Sequence, residues 1–139
     1  MLSIHGKISF WVLSLGLLAI SCEKRMVDVD LTANTWKVDK IRTSEQKAFE
    51  TTDSLYILQF NGDGSCFLNL DVNTCGSYYE VPSAGSIKFQ MVACTEICCD
   101  TDFATALSAL FSKMKSYYVQ NNRLHLEGEG EIVLLIHEP

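Results

Sequence analysis

Leu55-Tyr56-Ile57-Leu58-Gln59-Phe60-Asn61-Gly62-Asp63-Gly64-Ser65-Cys66-Phe67-Leu68-Asn69-Leu70 is the stretch that decides the fold class. Two runs rich in aromatic and aliphatic residues flank a turn whose glycines supply the positive φ of a tight connection, so the segment reads as an antiparallel hairpin. Asn61, Asp63 and Ser65 also offer oxygens at alternate positions, as a calcium loop does. That pattern requires Glu at its twelfth position, where Val72 stands, and the turn reading is preferred.

Outward from the hairpin the same period-two logic continues. Upstream, Thr35-Trp36-Lys37-Val38-Asp39-Lys40-Ile41 alternates apolar with polar side chains, the mark of a half-buried strand, and a polar stretch from Arg42 to Asp53 separates it from the hairpin. Downstream, strands are expected at Ser77–Val81, Ser86–Met91, Ser116–Val119, Asn122–Leu126 and Glu131–Ile136. Pro82 and Gly85 break one gap, and Gly128 and Gly130 another. Phe103, Ala106, Leu107, Leu110, Phe111 and Met114 fall instead at the spacing of one helical face. Asp100, Thr101 and Asp102 offer capping oxygens at the start of this helix, and Lys113 and Lys115 are expected in its last turn. The sum is an α+β domain over residues 31–139: an antiparallel curved meander sheet or half-barrel, plugged by one crossing helix.

The first twenty-two residues carry a different signal. Met1 to Lys7 holds one lysine, and Ile8 to Ile20 follows without a charge. As a helix this apolar run spans only about 20 Å, short of a hydrocarbon core of roughly 30 Å, which argues for a signal peptide and against a membrane span. It ends in Leu18-Ala19-Ile20-Ser21-Cys22, a sequence that looks like a lipobox. On this reading residues 1–21 are a lipoprotein signal peptide cut after Ser21. The Cys22 sulfur takes diacylglycerol, the freed amine is acylated with palmitate or a similar chain, and residues 22–30 form a lipidated tether. Each buried CH₂ contributes about 0.8 kcal/mol, so two or more chains hold a protein on a bilayer permanently. The expected address is the cell envelope, at the outer membrane, on its periplasmic or surface face.

Removing residues 1–21 takes away Lys7 and no acidic residue, so the remainder is more negative still than the −6 of the whole chain. No basic field exists to attract nucleic acid. With Cys22 acylated, five cysteines remain: Cys66, Cys75, Cys94, Cys98 and Cys99. An odd number leaves at least one free or paired outside the chain, and export favours disulfides for the others. Two rival readings stay open, a zinc or copper site from Cys94, Cys98 and Cys99 with Cys75 or His125, and redox chemistry at the adjacent Cys98 and Cys99. The paired knuckles of structural zinc sites are missing. No phosphate loop, HExxH or GxSxG motif occurs, and no cofactor or catalytic set is expected. His125 and His137 read as surface side chains.

The order of motifs resembles a known family. Leu31 to Ile41 with its Leu-x4-Trp-Lys-Val, the Asn73-Thr74-Cys75-Gly76-Ser77-Tyr78 step, Cys94-Thr95-Glu96-Ile97-Cys98-Cys99 ahead of a helix, and Leu124-His125-Leu126 before a closing apolar strand look like the META domain, the HslJ-like fold. The cysteine-rich form is similar to that of lipoproteins of the Bacteroides group. In this likeness Thr74-Cys75-Gly76 takes the place of the family's Gly-Cys-Asn, and Glu96 stands where the family has a basic residue. The resemblance implies that Cys75 pairs with one of the later cysteines, Cys99 by alignment, which leaves Cys66 available to Cys94 or Cys98. It also implies an envelope protein linked to stress or antibiotic tolerance, without catalysis.

The expectation is therefore a non-enzymatic, lipid-anchored envelope protein acting as an interaction or envelope-maintenance module, held on the membrane through its N-terminal lipid. The alternative is a lipocalin-like carrier of a small apolar ligand. An apolar pocket lined by Trp36, Phe60 or Tyr78 would favour the carrier, whereas a filled interior with an exposed apolar patch would favour an envelope protein partner.

Overall fold

The first strand of the chain pairs with the last. In a computed structural model describing residues 24–139, β1 (Thr35–Thr43) is followed by the short β2 (Glu50–Thr51), then β3 (Ile57–Phe60), β4 (Ser65–Asn69), β5 (Thr74–Glu80) and β6 (Lys88–Cys94). Helix α1 (Asp102–Phe111) comes next, and β7 (Met114–Gln120), β8 (Arg123–Gly128) and β9 (Gly130–His137) close the chain. Ser21 and Cys22 lie outside the described residues. The sheet runs β6-β5-β4-β3-β1-β9-β8-β7, with β2 attached to β1. All neighbours are antiparallel, and β1 meets β9 from Thr35↔His137 to Thr43↔Gly130. The half-barrel with one α-helix read from the sequence is the fold observed.

The sheet curls until its ends meet. Ser86 bridges Ser116, the Ile87 N–H donates to the Lys115 carbonyl at 3.0 Å, and the Tyr117 N–H donates to Gly85 at 2.9 Å. The segment entering β6 thus covers one part of the β7 edge, which would otherwise offer unpaired backbone groups.

Alternation along the strands fills the concave side with Trp36, Val38 and Ile41 from β1, Leu58 and Phe60 from β3, Leu68 from β4, and Leu124 and Leu126 from β8. Trp36 also explains the Leu-x4-Trp spacing. Asp30 caps a 3-10 turn at Leu31–Ala33, and the buried Trp36 indole N–H donates to the Leu31 carbonyl at 3.1 Å. Helix α1 closes the concave side with Phe103, Ala104, Leu107, Leu110 and Phe111, all buried. Phe103 stacks on Tyr56 and Phe111 packs on Phe89, with centroids 5.6 and 4.4 Å apart. Burying a side chain of this size contributes roughly 1.5–3 kcal/mol, so these residues are the helix's main hold on the sheet.

Thr101 is the N-cap, its Oγ1 accepting from the Ala104 N–H at 3.2 Å. The helix is shorter than the sequence spacing suggests. It stops at Phe111, and Met114 reaches the core from β7. Lys113 consequently lies beyond the cap, paired with Glu129 at 3.0 Å, and Lys115 belongs to β7, so neither occupies a last helical turn. Met114 satisfies the helical spacing and the strand alternation equally, and the pairing of β7 with β8 decides between them.

The tight β8–β9 connection depends on two glycines. A Cβ on Gly128 would overlap the Lys113 carbonyl, and one on Gly130, whose φ is +142°, would overlap the Arg42 carbonyl. Gly130→Ala is expected to lower stability by at least about 2 kcal/mol in urea denaturation, from combined backbone strain and overlap. An unchanged unfolding midpoint would contradict this account of the turn.

Candidate interaction surface

The hypothetical pocket residues do not share a face. Trp36 and Phe60 are packed inside, Phe60 edge-on against Tyr79 with centroids at 4.9 Å, whereas Tyr78 points outward and is 62 % exposed. An apolar ligand site lined by all three is therefore ruled out by the alternation of β5.

On the outer face the strands create a different feature. Phe67, Gly76 and Ala93 stand in one cross-strand row over β4, β5 and β6. Two minimal side chains in that row leave a depression, and Phe67, Tyr78 and Met91 wall it into a notch of about 280 Å³. The Phe67 ring lies over Gly76, so close that a Cβ there would meet it at 3.4 Å.

Met91 is 90 % exposed and has a φ of +44°. The simple alternation of Ile87, Phe89 and Met91 would place all three on one face. A shift in register between Gly76 and Tyr78 interrupts that alternation, so Ile87 and Phe89 stay with the core while Met91 turns to solvent. A bulge re-aims a side chain in this way, and left-handed backbone at a non-glycine residue costs of order 1–3 kcal/mol. Nothing in the sequence marks the position beforehand.

A larger cleft of about 450 Å³ lies beside Arg42, Glu127 and Glu131. Two of its charged groups, Arg42 and Glu131, satisfy each other. Glu131 accepts from Arg42 at 2.9 Å and meets His125 Nδ1 at 2.8 Å, and the imidazole stacks on Tyr118 with centroids 4.5 Å apart. His125, expected at the surface, is thus largely covered. Asp63 likewise serves the turn, its Oδ1 accepting from the Ser65 N–H and hydroxyl at 2.9 and 2.6 Å, which holds its carboxyl below the usual range.

Cys75 pairs with a later cysteine, as the resemblance implies, but not with the one that alignment selects. Cys75 bonds Cys94, its cross-strand partner in the β5–β6 register, with S–S 1.99 Å. Cys98 bonds Cys99 at 1.98 Å in the following loop. Cys99 lies past the end of β6 and so does not reach Cys75, which corrects the implied Cys75–Cys99 bridge. Cys66 is opposite Ser77 on β5 and remains a buried free thiol, which corrects its pairing with Cys94 or Cys98. Burial pushes that thiol up to about 12. The residues considered for zinc or copper are thereby separated: four are in disulfides and His125 is held by Glu131.

Asn73 fixes the loop carrying the second disulfide. Its amide donates to the Ile97 carbonyl and Asp100 Oδ2 at 2.7 and 2.6 Å, and its Oδ1 accepts from the Thr95 hydroxyl and Ile97 N–H at 2.8 and 2.7 Å. Asp71 ties the next turn to the helix cap, accepting from Thr101 N–H and hydroxyl at 2.9 and 2.8 Å. The loop ahead of α1 is thus held from the β4–β5 connection.

The META domain family model matches residues 29–139. The chain belongs to the META family. Two solved structures share its fold. An NMR structure of a protein from Burkholderia xenovorans superimposes with a TM-score of 0.62 at 12% identity, covering 78% of this chain and 85% of that one. A crystal structure of a DUF4847 family protein from Bacteroides vulgatus gives 0.59 at 12% identity, covering 78% and 96%. No curated protein matches the chain in sequence. Within this META domain the Leu-x4-Trp element builds the turn under Trp36, and the Asn73 step holds the cysteine loop.

Two measurements check this arrangement. Alkylation of the region after Cys22 should label no cysteine in the folded oxidised protein, one after unfolding, and all five after reduction; labelling of Cys66 in the native state would contradict its burial. Backbone and hydroxyl hydrogen bonds from Thr101 hold the Asp71 carboxyl below the usual carboxylate range. A depressed folded value contributes stability above the unfolded value of about 3.9, lost as pH falls through the folded one. Asp71→Asn should therefore destabilise at neutral pH and lose that penalty below about pH 4, as followed by urea denaturation; a pH-independent penalty would sink the assignment.

Proposed function

We propose that the protein is a lipid-anchored envelope module that works by docking a partner protein, without catalysis. The observation that carries this reading is Met91, held in solvent in left-handed backbone beside the Gly76 depression, with Phe67 and Tyr78 completing an apolar notch. Exposed apolar surface of this kind, gathered on one sheet face, marks interaction sites. The concave side favours no carrier role, since Trp36, Phe60, Leu107 and Phe111 occupy it. The notch suits an aromatic or aliphatic anchor from an envelope protein, seated as buried hot spots are.

The address rests on Leu18-Ala19-Ile20-Ser21-Cys22, which supports cleavage after Ser21 and acylation of Cys22. The outer membrane is the proposed destination, and envelope stress or maintenance the proposed setting. Radiolabelled palmitate should mark the parent protein, and Cys22→Ala should leave the membrane fraction. An unlabelled parent, or a variant that fractionates unchanged, would overturn the anchor. Photo-crosslinkers at Tyr78 and Met91 should give the same adduct in cells, abolished by Gly76→Leu while the folded domain keeps its unfolding midpoint. Adducts indifferent to Gly76→Leu would remove the notch from the docking reading.

A further inference from the structure

Residues read as a free tether are docked on the domain. Met26 pairs with Val119 on the outer edge of β7, its N–H donating to the Val119 carbonyl at 2.8 Å and its carbonyl accepting from the Val119 N–H at 2.7 Å. The Arg25 guanidinium lies over the Tyr118 ring, 4.2 Å from its centroid. Val27 packs so near Gly85 that an added Cβ there would meet it at 3.1 Å, and Val29 packs against the core. Asp30 then caps the turn beneath Trp36. From Arg25 onward the chain therefore belongs to the barrel wall.

Only Glu23 and Lys24 stand between Cys22 and the first docked residue. Three residue steps reach at most about 10 Å, whereas nine, from Cys22 to Leu31, would reach roughly 30 Å. A domain of this size has a radius of gyration of about 13 Å. The longer leash would let any face turn to the bilayer; the shorter one is less than the domain's own radius. The point at which the N-terminal segment docks on β7 therefore dictates which face touches lipid.

We propose that the β7–β8 end of the domain, carrying Lys24, Arg25, Met26 and the Asn121-Asn122 turn, is the face that lies on phospholipid headgroups. This rests on the reading that Cys22 carries lipid. Met26 is 49 % exposed, and two cations precede it in a chain of net charge −6, the pairing of basic and apolar groups that suits a headgroup layer. Antiparallel register from Met26↔Val119 carries the chain's start toward Gln120 and the turn after it, so the anchor and the hairpin end approach the surface together.

The test uses the full acylated protein in nanodiscs of phosphatidylethanolamine and phosphatidylglycerol doped with a gadolinium-headgroup lipid. Backbone amide signals of Arg25–Val27 and Asn121–Arg123 should be lost, while those of other exposed strands persist. Loss spread evenly over the surface, or centred on Tyr78 and Met91, would overturn the orientation. A Gly-Ser insert of about ten residues between Glu23 and Lys24 restores a long flexible leash and should even out the loss; selectivity that survives the insert also defeats the proposal. The mass of the N-terminal peptide separates the two readings. An absent acyl mass removes the anchor and this inference together, whereas acyl mass with uniform signal loss removes only the orientation.

Discussion

The pairing of β1 with β9 is the constraint on which the rest of the structure depends. Among the described residues it is the long ladder joining the two wings of the sheet, β3 to β6 extending from β1 and β8 and β7 from β9, while the far ends meet through the single Ser86–Ser116 bridge and its flanking hydrogen bonds. Helix α1 packs on this same pair, so both the plug and the wall wait on it. The partners lie near opposite ends of the domain, and forming such a non-local ladder requires most of the chain to be made and loosely gathered first. Hairpins within each wing can form early, but neither wing has a complete apolar face to bury until the seam closes.

The locally determined parts of this design were legible in the amino-acid order. The Asn61–Gly64 turn, the alternation through Trp36 and Val38, and the apolar stripe of α1 each follow from periodicity within a few residues. What the order did not disclose depends on cross-strand register. Met91 leaves its expected face because of a bulge set by β5, Met114 joins a strand because β8 pairs with it, and Cys75 finds Cys94 because they stand opposite. Likewise Gly76 is legible as a residue but not as a depression, since that needs Phe67 and Ala93 beside it. The resemblance located the cysteines that matter without fixing their partners, because alignment carries position and not facing.

The two sides of the sheet divide the work. The concave side is filled by large buried side chains, including an indole N–H with its own carbonyl acceptor. The convex side keeps an ion-pair patch around Glu131 and an apolar notch around Gly76, on different strands. A rigid wall of this kind positions surface groups well, because substitutions on its outer face leave the core packing untouched.

The buried thiol of Cys66 would constrain the order of events for a newborn chain folding where disulfides form. In any oxidising compartment an unpaired sulfhydryl competes for every neighbouring sulfur, and here four others lie within the next thirty-three residues. For it to stay a thiol there, the apolar interior would have to seal around β4 before oxidation is complete. Oxidation that outran collapse would leave scrambled bridges from which the seam between the wings could not readily be recovered, so the speed of hydrophobic closure acts as proofreading for the covalent structure.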